Sequence, residues 1–172
     1  IEPKNASEKP TTTGEFIKIE DRIGFLDRKL RVVNENLDSI NEWLKAVETA
    51  YKNTYGFEWQ GDSLLLAREA LLITFIENFT YKFETEPPLE TIQNIAEIIS
   101  WNIWQMDGLK GVIPNSCKDK TVEIVDIFET NTEIKKCKGC ETQNIKLHNG
   151  IFCNIMDWEI EKPIKFISLL EK

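Results

Sequence analysis

Residues 54–63, Thr54-Tyr55-Gly56-Phe57-Glu58-Trp59-Gln60-Gly61-Asp62-Ser63, place a short aromatic run between Asn53 and the turn at Gly61-Asp62. Aromatic and β-favouring side chains bounded in this way read as a strand that hands over to a helix. Asp62 or Ser63 can accept the free amide hydrogens of the first helical turn. The helix should run to about Phe83, and its Leu64, Leu65, Leu66, Ala67, Leu71, Leu72, Ile73, Phe75, Ile76 and Phe79 leave almost no polar face. Such a helix is expected to be largely buried. Pro87-Pro88 breaks the chain, and Leu89, Ile92, Ile95, Ala96 and Ile99 follow at helical spacing, with Pro88 suited to the first turn. Trp101-Asn102-Ile103-Trp104-Gln105-Met106 then reads as a second strand, closed by Asp107-Gly108. Two strands joined through helices pair in parallel, because the crossover covers a sheet face. The expected fold is therefore α/β, a partial Rossmann-like parallel sheet with flanking helices.

Upstream, residues 1–13 contain two prolines and many small polar side chains, and read as an extended lead-in. Gly14-Glu15-Phe16-Ile17-Lys18-Ile19 is a candidate strand, while residues 28–33 are too short to classify. From Asn34, the spacing of Leu37, Ile40, Leu44, Val47 and Tyr51, with Trp43 beside them, predicts one amphipathic helix ending near Asn53. Downstream of Pro114 the texture changes. Val122, Ile124, Ile127 and Phe128 suggest one strand, Ile151, Cys153 and Ile155 another, and residues 163–170 close the chain. The expected division is a Rossmann-like segment over 1–115 and a cysteine-containing zinc-knuckle β subdomain over 116–172.

The 172 residues are 41% hydrophobic with five Trp and nine Phe, enough for a sizeable core, and 8 Gly with 6 Pro exclude a low-complexity chain. The apolar run at 64–67 is far below the roughly 20 residues that span a bilayer. No membrane partner is expected, and the polar start predicts a cytoplasmic protein. Net charge is −8, and residues 36–115 carry most of the excess, with five basic groups against twelve acidic ones. A phosphate backbone repels such a surface, so general nucleic-acid binding is not expected.

Glu58 and Asp107 each fall at the carboxyl end of an expected strand, where open α/β sheets place their ligand crevice. An ionised carboxylate there can accept hydrogen bonds from a ribose diol or an adenine amine; the plainer reading is two solvated acids at loop starts. The run at 54–63, Ala67-Arg68-Glu69, and the later Trp101-Asn102-Ile103-Trp104-Gln105-Met106-Asp107-Gly108-Leu109 resemble the cofactor-binding stretch of S-adenosylmethionine-dependent N6-adenine DNA methyltransferases of restriction–modification systems, over residues 12–112. The resemblance implies that Glu58 holds the cofactor ribose and Asp107 its adenine, with Phe57 and Trp59 packed near that adenine. It also implies that Gly14 stands for the tail of the glycine-rich turn, one glycine where the family has two or three. The family's (N/D/S)-P-P-(Y/F/W) loop, which grips the target amine, is absent; Pro87-Pro88, between Glu86 and Leu89, lies elsewhere. No catalytic residue is assigned. Methyl transfer would need the remainder of a DNA methyltransferase as partner, and DNA would be met only indirectly. The alternative is a small acidic phage-type inhibitor that binds a nucleic-acid enzyme, a nuclease or CRISPR effector, through its basic channel.

Cys117, Cys137, Cys140 and Cys153 all lie in the last 56 residues. Cys137-Lys138-Gly139-Cys140 is a CxxC in which Gly139 permits the backbone twist that aims both sulfurs at one centre. Four thiolates suit tetrahedral Zn²⁺, and His148, the only histidine, could replace Cys117 or Cys153. Free thiols and a redox pair at the CxxC are the competing readings. A closed four-ligand site would be structural. Around it, Lys135, Lys136, Lys138 and Lys146 make a local basic patch, read as a solvated loop or a phosphate contact. The five Trp are expected mainly in the core.

Overall fold

The computed structural model describes residues 17–125 and 130–171. The fold mixes helix and strand and divides into two compact units. The first takes the described part of Ile1–Gly56 together with Gln60–Trp104, and the second takes Phe57–Trp59 with Gln105–Lys172. The sequence reading put its boundary at 115/116; the compact units part at Trp104/Gln105.

The first unit packs four helices: α1 (Phe25–Asn36), α2 (Ile40–Lys52), α3 (Gly61–Phe83) and α4 (Leu89–Asn102). Helix α1 covers the stretch 28–33 left unclassified above, and buries Leu26 and Leu30, one turn apart. The single helix expected from Asn34 is instead two, because Leu37 takes extended backbone and Asp38-Ser39 separates them. Asp and Ser compete with helical hydrogen bonding through their own side chains. Lys82 seals the break: its Nζ donates to the Asn34 carbonyl at 2.8 Å and to Asp38 Oδ1 at 2.7 Å. Helix α3 begins two or three residues earlier than expected, with Gln60 at its cap position and no side-chain cap, so neither Asp62 nor Ser63 plays that part. Its burial is also one-sided. Ala67, Ala70, Thr74, Phe75, Asn78 and Phe79 form the buried stripe, whereas Leu65 and Leu66 are exposed.

Trp43 is the centre of this core, fully buried with Phe79 and Phe83 edge-on at 5.5 and 5.4 Å. Its indole Nε1 donates to Asn34 Oδ1 at 2.7 Å, and Asn34 Nδ2 donates to Asn78 Oδ1 at 2.9 Å. Asn78 in turn donates to the Thr74 carbonyl, so the buried polar atoms form a satisfied chain. The other tryptophans are partly or largely exposed.

Strands β1 (Gly56–Glu58) and β2 (Ile103–Gln105) form a two-stranded parallel sheet, with α3 and α4 between them in the chain. Among the described residues no third strand joins them. Residues Ile19–Asp21 form a 3₁₀ turn rather than the end of a strand, and residues 14–16, Gly14 included, lie outside the described residues.

The second unit holds two antiparallel hairpins. In the first, β3 (Lys120–Val125) pairs with β4 (Thr130–Lys135), Lys120 opposite Lys135; Ile127 and Phe128 lie outside the described residues. A five-residue helix, α5 (Lys138–Thr142), and a 3₁₀ turn, Ile145–Leu147, lead to the second hairpin, β5 (Asn154–Asp157) with β6 (Lys162–Lys165). The strand expected over 151–155 therefore starts later; Phe152 makes only an isolated bridge to Val112. The buried apolar side chains described in this unit are few: Met106, Val112, Cys137, Cys153 and Ile155. No helix among the described residues is long and apolar enough to cross a membrane.

Candidate metal centre

Three cysteines and the histidine meet in the second unit. The ligand atoms of Cys117, Cys137, Cys140 and His148 all lie within 4.8 Å of one another. His148 Nδ1 is 3.5 Å from the Cys117 sulfur, 3.8 Å from that of Cys137 and 3.6 Å from that of Cys140. A tetrahedral zinc ion with Zn–S of about 2.3 Å and Zn–N of about 2.0 Å separates sulfur from nitrogen by about 3.6 Å. The three sulfur–nitrogen separations are compatible with edges of such a tetrahedron. Cys153 is not among them. It is buried, and its thiol donates to the Asn154 carbonyl at 3.8 Å. The sequence-based ligand set of four cysteines is corrected to Cys117, Cys137, Cys140 and His148.

Local sequence builds this arrangement. Cys137 precedes α5, so Cys140 returns one turn later beside it. Gly139 serves closeness rather than a left-handed twist, since Gly111 is the one glycine with positive φ among the described residues. A Cβ on Gly139 would stand 2.4 Å from the His148 amide nitrogen and 2.6 Å from its Cγ. Gly150 plays the matching part at Cys117, where a Cβ would lie 2.5 Å from Ser116 Oγ and 3.0 Å from the Cys117 sulfur. Asn149 ties the two segments together: its Oδ1 accepts from the Lys118 amide at 3.1 Å, and its Nδ2 donates to the Lys118 carbonyl at 2.7 Å. Asp119 Oδ1 accepts from the Cys137 amide at 3.2 Å.

The thiols are unlike one another. Burial pushes the Cys117 thiol up to about 11, helped by its hydrogen bonds to Cys137 and Cys140. Burial also works against ionising Cys137, but amide donors from Asn149 and Cys140, with His148 and Cys117, outweigh it and hold that thiol at about 6. The Asn149 amide reaches the Cys137 sulfur at 3.4 Å. Of these two thiols, Cys137 is the one that favours the thiolate and Cys117 the one that keeps its proton. A divalent cation held there would displace the Cys117 proton and favour sulfur ligands in the thiolate form.

Glu58 and Asp107 come close along the backbone: the Met106 amide donates to the Glu58 carbonyl at 2.9 Å. Their carboxylates have local partners. Glu58 Oε1 accepts from the Trp59 amide at 2.8 Å. Asp107 is 4% exposed; its Oδ1 accepts from the Leu109 amide at 3.0 Å and its Oδ2 pairs with Lys110 Nζ at 3.3 Å. Phe57 packs edge-on against Phe166 at 4.8 Å, and Trp59 is half exposed, its carbonyl accepting from Gln105 Nε2. Glu58 and Asp107, two of the residues that the methyltransferase resemblance points to, thus make their hydrogen bonds within a strand end and its turn.

That turn leads into the metal centre. Asp107 and Val112 close it through Asp107 N to Val112 O at 2.8 Å, with Gly111 in left-handed backbone. Cys153 N then donates to Gly111 O, Ile113 N to Ile151 O, and Ile151 N to Ser116 Oγ, beside Cys117 and Gly150. Compared with known proteins, the chain matches no family model, no curated protein and no solved structure. The histidine's place was open in the sequence because either cysteine flank offered a fourth donor; the glycine between Cys137 and Cys140, pressed against His148, is the feature that settles it.

Proposed function

We propose that the second unit folds around a structural zinc ion held by Cys117, Cys137, Cys140 and His148, and that the chain is a methyltransferase-like module whose metal braces the turn at Asp107. The observation that carries the metal is the cluster of four donors within 4.8 Å of one another, with sulfur–nitrogen spacings of 3.5 to 3.8 Å. Four protein ligands fill a tetrahedral zinc and leave no position for an activated water, so the ion would supply folding energy rather than chemistry. The small number of buried apolar side chains in this unit supports that role.

The cofactor part of the reading is supported by the sequence run from Thr54 and by the parallel β1/β2 pair, which sets Glu58 beside the residue preceding Asp107. In this reading Glu58 accepts from a ribose diol, and Asp107 shapes the loop that faces the adenine. No catalytic loop of the Asn-Pro-Pro-Tyr type is present in the sequence, so methylation is not expected of the chain by itself. Calorimetry with S-adenosylmethionine is the test. Micromolar-class binding that Glu58→Ala abolishes supports the reading, and no heat with the wild-type chain ends it. Elemental analysis tests the metal separately: less than half an equivalent of zinc in freshly purified protein removes it.

A groove of 480 Å³ between α2 and α4 favours a second reading, the acidic binder of a nucleic-acid enzyme. Glu48, Glu90 and Glu97 line it around Leu44 and Ile95, and among the described residues only Glu48 has an ion-pair partner, Lys52. Capture of a basic nuclease that weakens steeply with salt, together with silence towards S-adenosylmethionine, would favour this binder.

A further inference from the structure

Two lysine-bearing segments meet at the base of the β3–β4 hairpin. The register sets Lys120 directly opposite Lys135, so both side chains leave the same face of the pair. Just beyond the ladder, Asp119 Oδ1 accepts from the Cys137 amide at 3.2 Å. Asn149 holds the backbone of Lys118, accepting from its amide at 3.1 Å and donating to its carbonyl at 2.7 Å. Lys118-Asp119-Lys120 and Lys135-Lys136-Cys137-Lys138 are thereby kept side by side. Five of these seven residues are lysine, and the one acid among them already accepts from a backbone amide. Lys118 is half-buried and the other four lysines are exposed. None of the five forms an ion pair among the described residues. The nearest other acids in the sequence are set apart: Glu123, Asp126, Glu129 and Glu133 all fall between Lys120 and Lys135, and Glu141 follows on α5.

Like charges directly opposite on a hairpin destabilise it, and an anion bridging them offsets that cost. We propose that this end of the hairpin is a contact surface for the phosphate backbone of nucleic acid, gripped by Lys120, Lys135, Lys136 and Lys138 without regard to base sequence. Four exposed ammonium groups on two adjacent segments match a row of phosphates rather than a single small anion. Lysine meets phosphate as a point charge and is depleted from protein–protein interfaces, which rely on aromatic and arginine anchors. The seven residues include no aromatic side chain on which a base could stack, so the contact is to backbone and carries no sequence readout. The acidic excess of residues 36–115 opposes a polyanion elsewhere on the chain and keeps the contact local and salt-sensitive. The proposal rests on the hairpin register and the Asp119 bond, and on neither functional reading given above.

The test is fluorescence anisotropy of a labelled DNA duplex of mixed sequence, titrated with the full chain over a series of salt concentrations. Wild type should bind at low salt, with a slope of log affinity against log salt of about −3 to −4 for four phosphate contacts. The double variants Lys120→Gln/Lys135→Gln and Lys136→Gln/Lys138→Gln should each bind about tenfold more weakly at low salt and lose about two units of that slope. A second duplex of unrelated sequence should give the same values, and Lys45→Gln, on α2 of the helical unit, should bind as wild type does. The thermal midpoint of Lys120→Gln/Lys135→Gln should not fall, because the facing like charges are gone; this separates lost contact from lost fold. No anisotropy change with wild type at low salt overturns the proposal. Wild-type affinity and slope in both double variants overturn it too. Tighter binding to phosphatidylserine vesicles than to the duplex would assign the lysines to a lipid surface and overturn the nucleic-acid partner.

Discussion

Gly139 and Gly150 are the residues on which the metal cluster depends most for its shape. Neither can take a methyl group without moving a ligand: the Cβ positions fall 2.4 Å from the His148 amide and 3.0 Å from the Cys117 sulfur. Gly139→Ala should cost about 2 kcal/mol or more and release the metal, as overpacking of a fixed backbone does. Gly108→Ala, which meets nothing within 4 Å, is the control. Zinc retention after gel filtration with the thermal midpoint reads both. Cys153 gives a contrasting expectation. Burial pushes its thiol up to about 11, so the neutral form is favoured in the fold. The associated stability is full below the ordinary thiol range, near pH 8.5, and falls as pH rises towards 11 because the unfolded chain ionises first. Cys153→Val should flatten that alkaline loss in a series of denaturant melts. In native protein at pH 8, iodoacetamide should spare Cys153 and reach the other three only after chelation. The cysteine spacing made three of the four ligands legible in the sequence. The choice between Cys153 and His148 was not, since it turns on a through-space contact at Gly139 that no spacing rule encodes.

At the level of elements, α3 and α4 were readable because their apolar side chains recur at helical spacing over many turns, and β1 and β2 because turns punctuate short aromatic runs. Helix α1 was missed although Leu26, Leu30 and Val33 keep that spacing; the charged residues between them masked it. The break at Leu37-Asp38-Ser39 depends on Lys82, 44 residues from Asp38, reaching back to cap α1, so only the folded chain reveals it. Asn102 does similar work at the other end of α2. It is 1% exposed, and its Nδ2 donates to the carbonyls of Tyr51 and Lys52 at 2.9 and 3.0 Å, satisfying the last turn of that helix. Asn102→Ala removes both of these bonds, although the Thr54 amide still reaches the Tyr51 carbonyl at 3.0 Å, and should destabilise the helical unit by about 1 kcal/mol. Urea unfolding followed by far-ultraviolet circular dichroism would show it. A shift under about 0.5 kcal/mol would mean that water or another donor takes over.

For the whole molecule, the two units draw on different sources of stability. Four helices bury Trp43, Phe75 and Phe79 in one core, whereas the second unit leans on a small apolar set and the donor cluster. Chelation at neutral pH should therefore melt the hairpins and leave the helical signal nearly intact, giving two separated transitions where metal-loaded protein shows closer ones. One unchanged transition after complete zinc removal would contradict that division. Mixed helix and strand was evident from the order of the patterns. The extent of sheet was not, because each short aromatic run is equally compatible with a pair or with a larger layer; pairing partners are set by the chain's path, not by local composition.

The ligands are also unevenly spaced along the chain. Cys137, Cys140 and His148 fall within one short loop, while Cys117 stands on the far side of the β3–β4 hairpin. During synthesis Cys117 emerges first and stays without its partners until His148 has left the ribosome. If the centre takes up a metal as proposed, loop-closure entropy would favour joining the three later donors first and the early cysteine last. Assembly of such a centre would then run opposite to the order of translation, across the hairpin that separates Cys117 from the other donors.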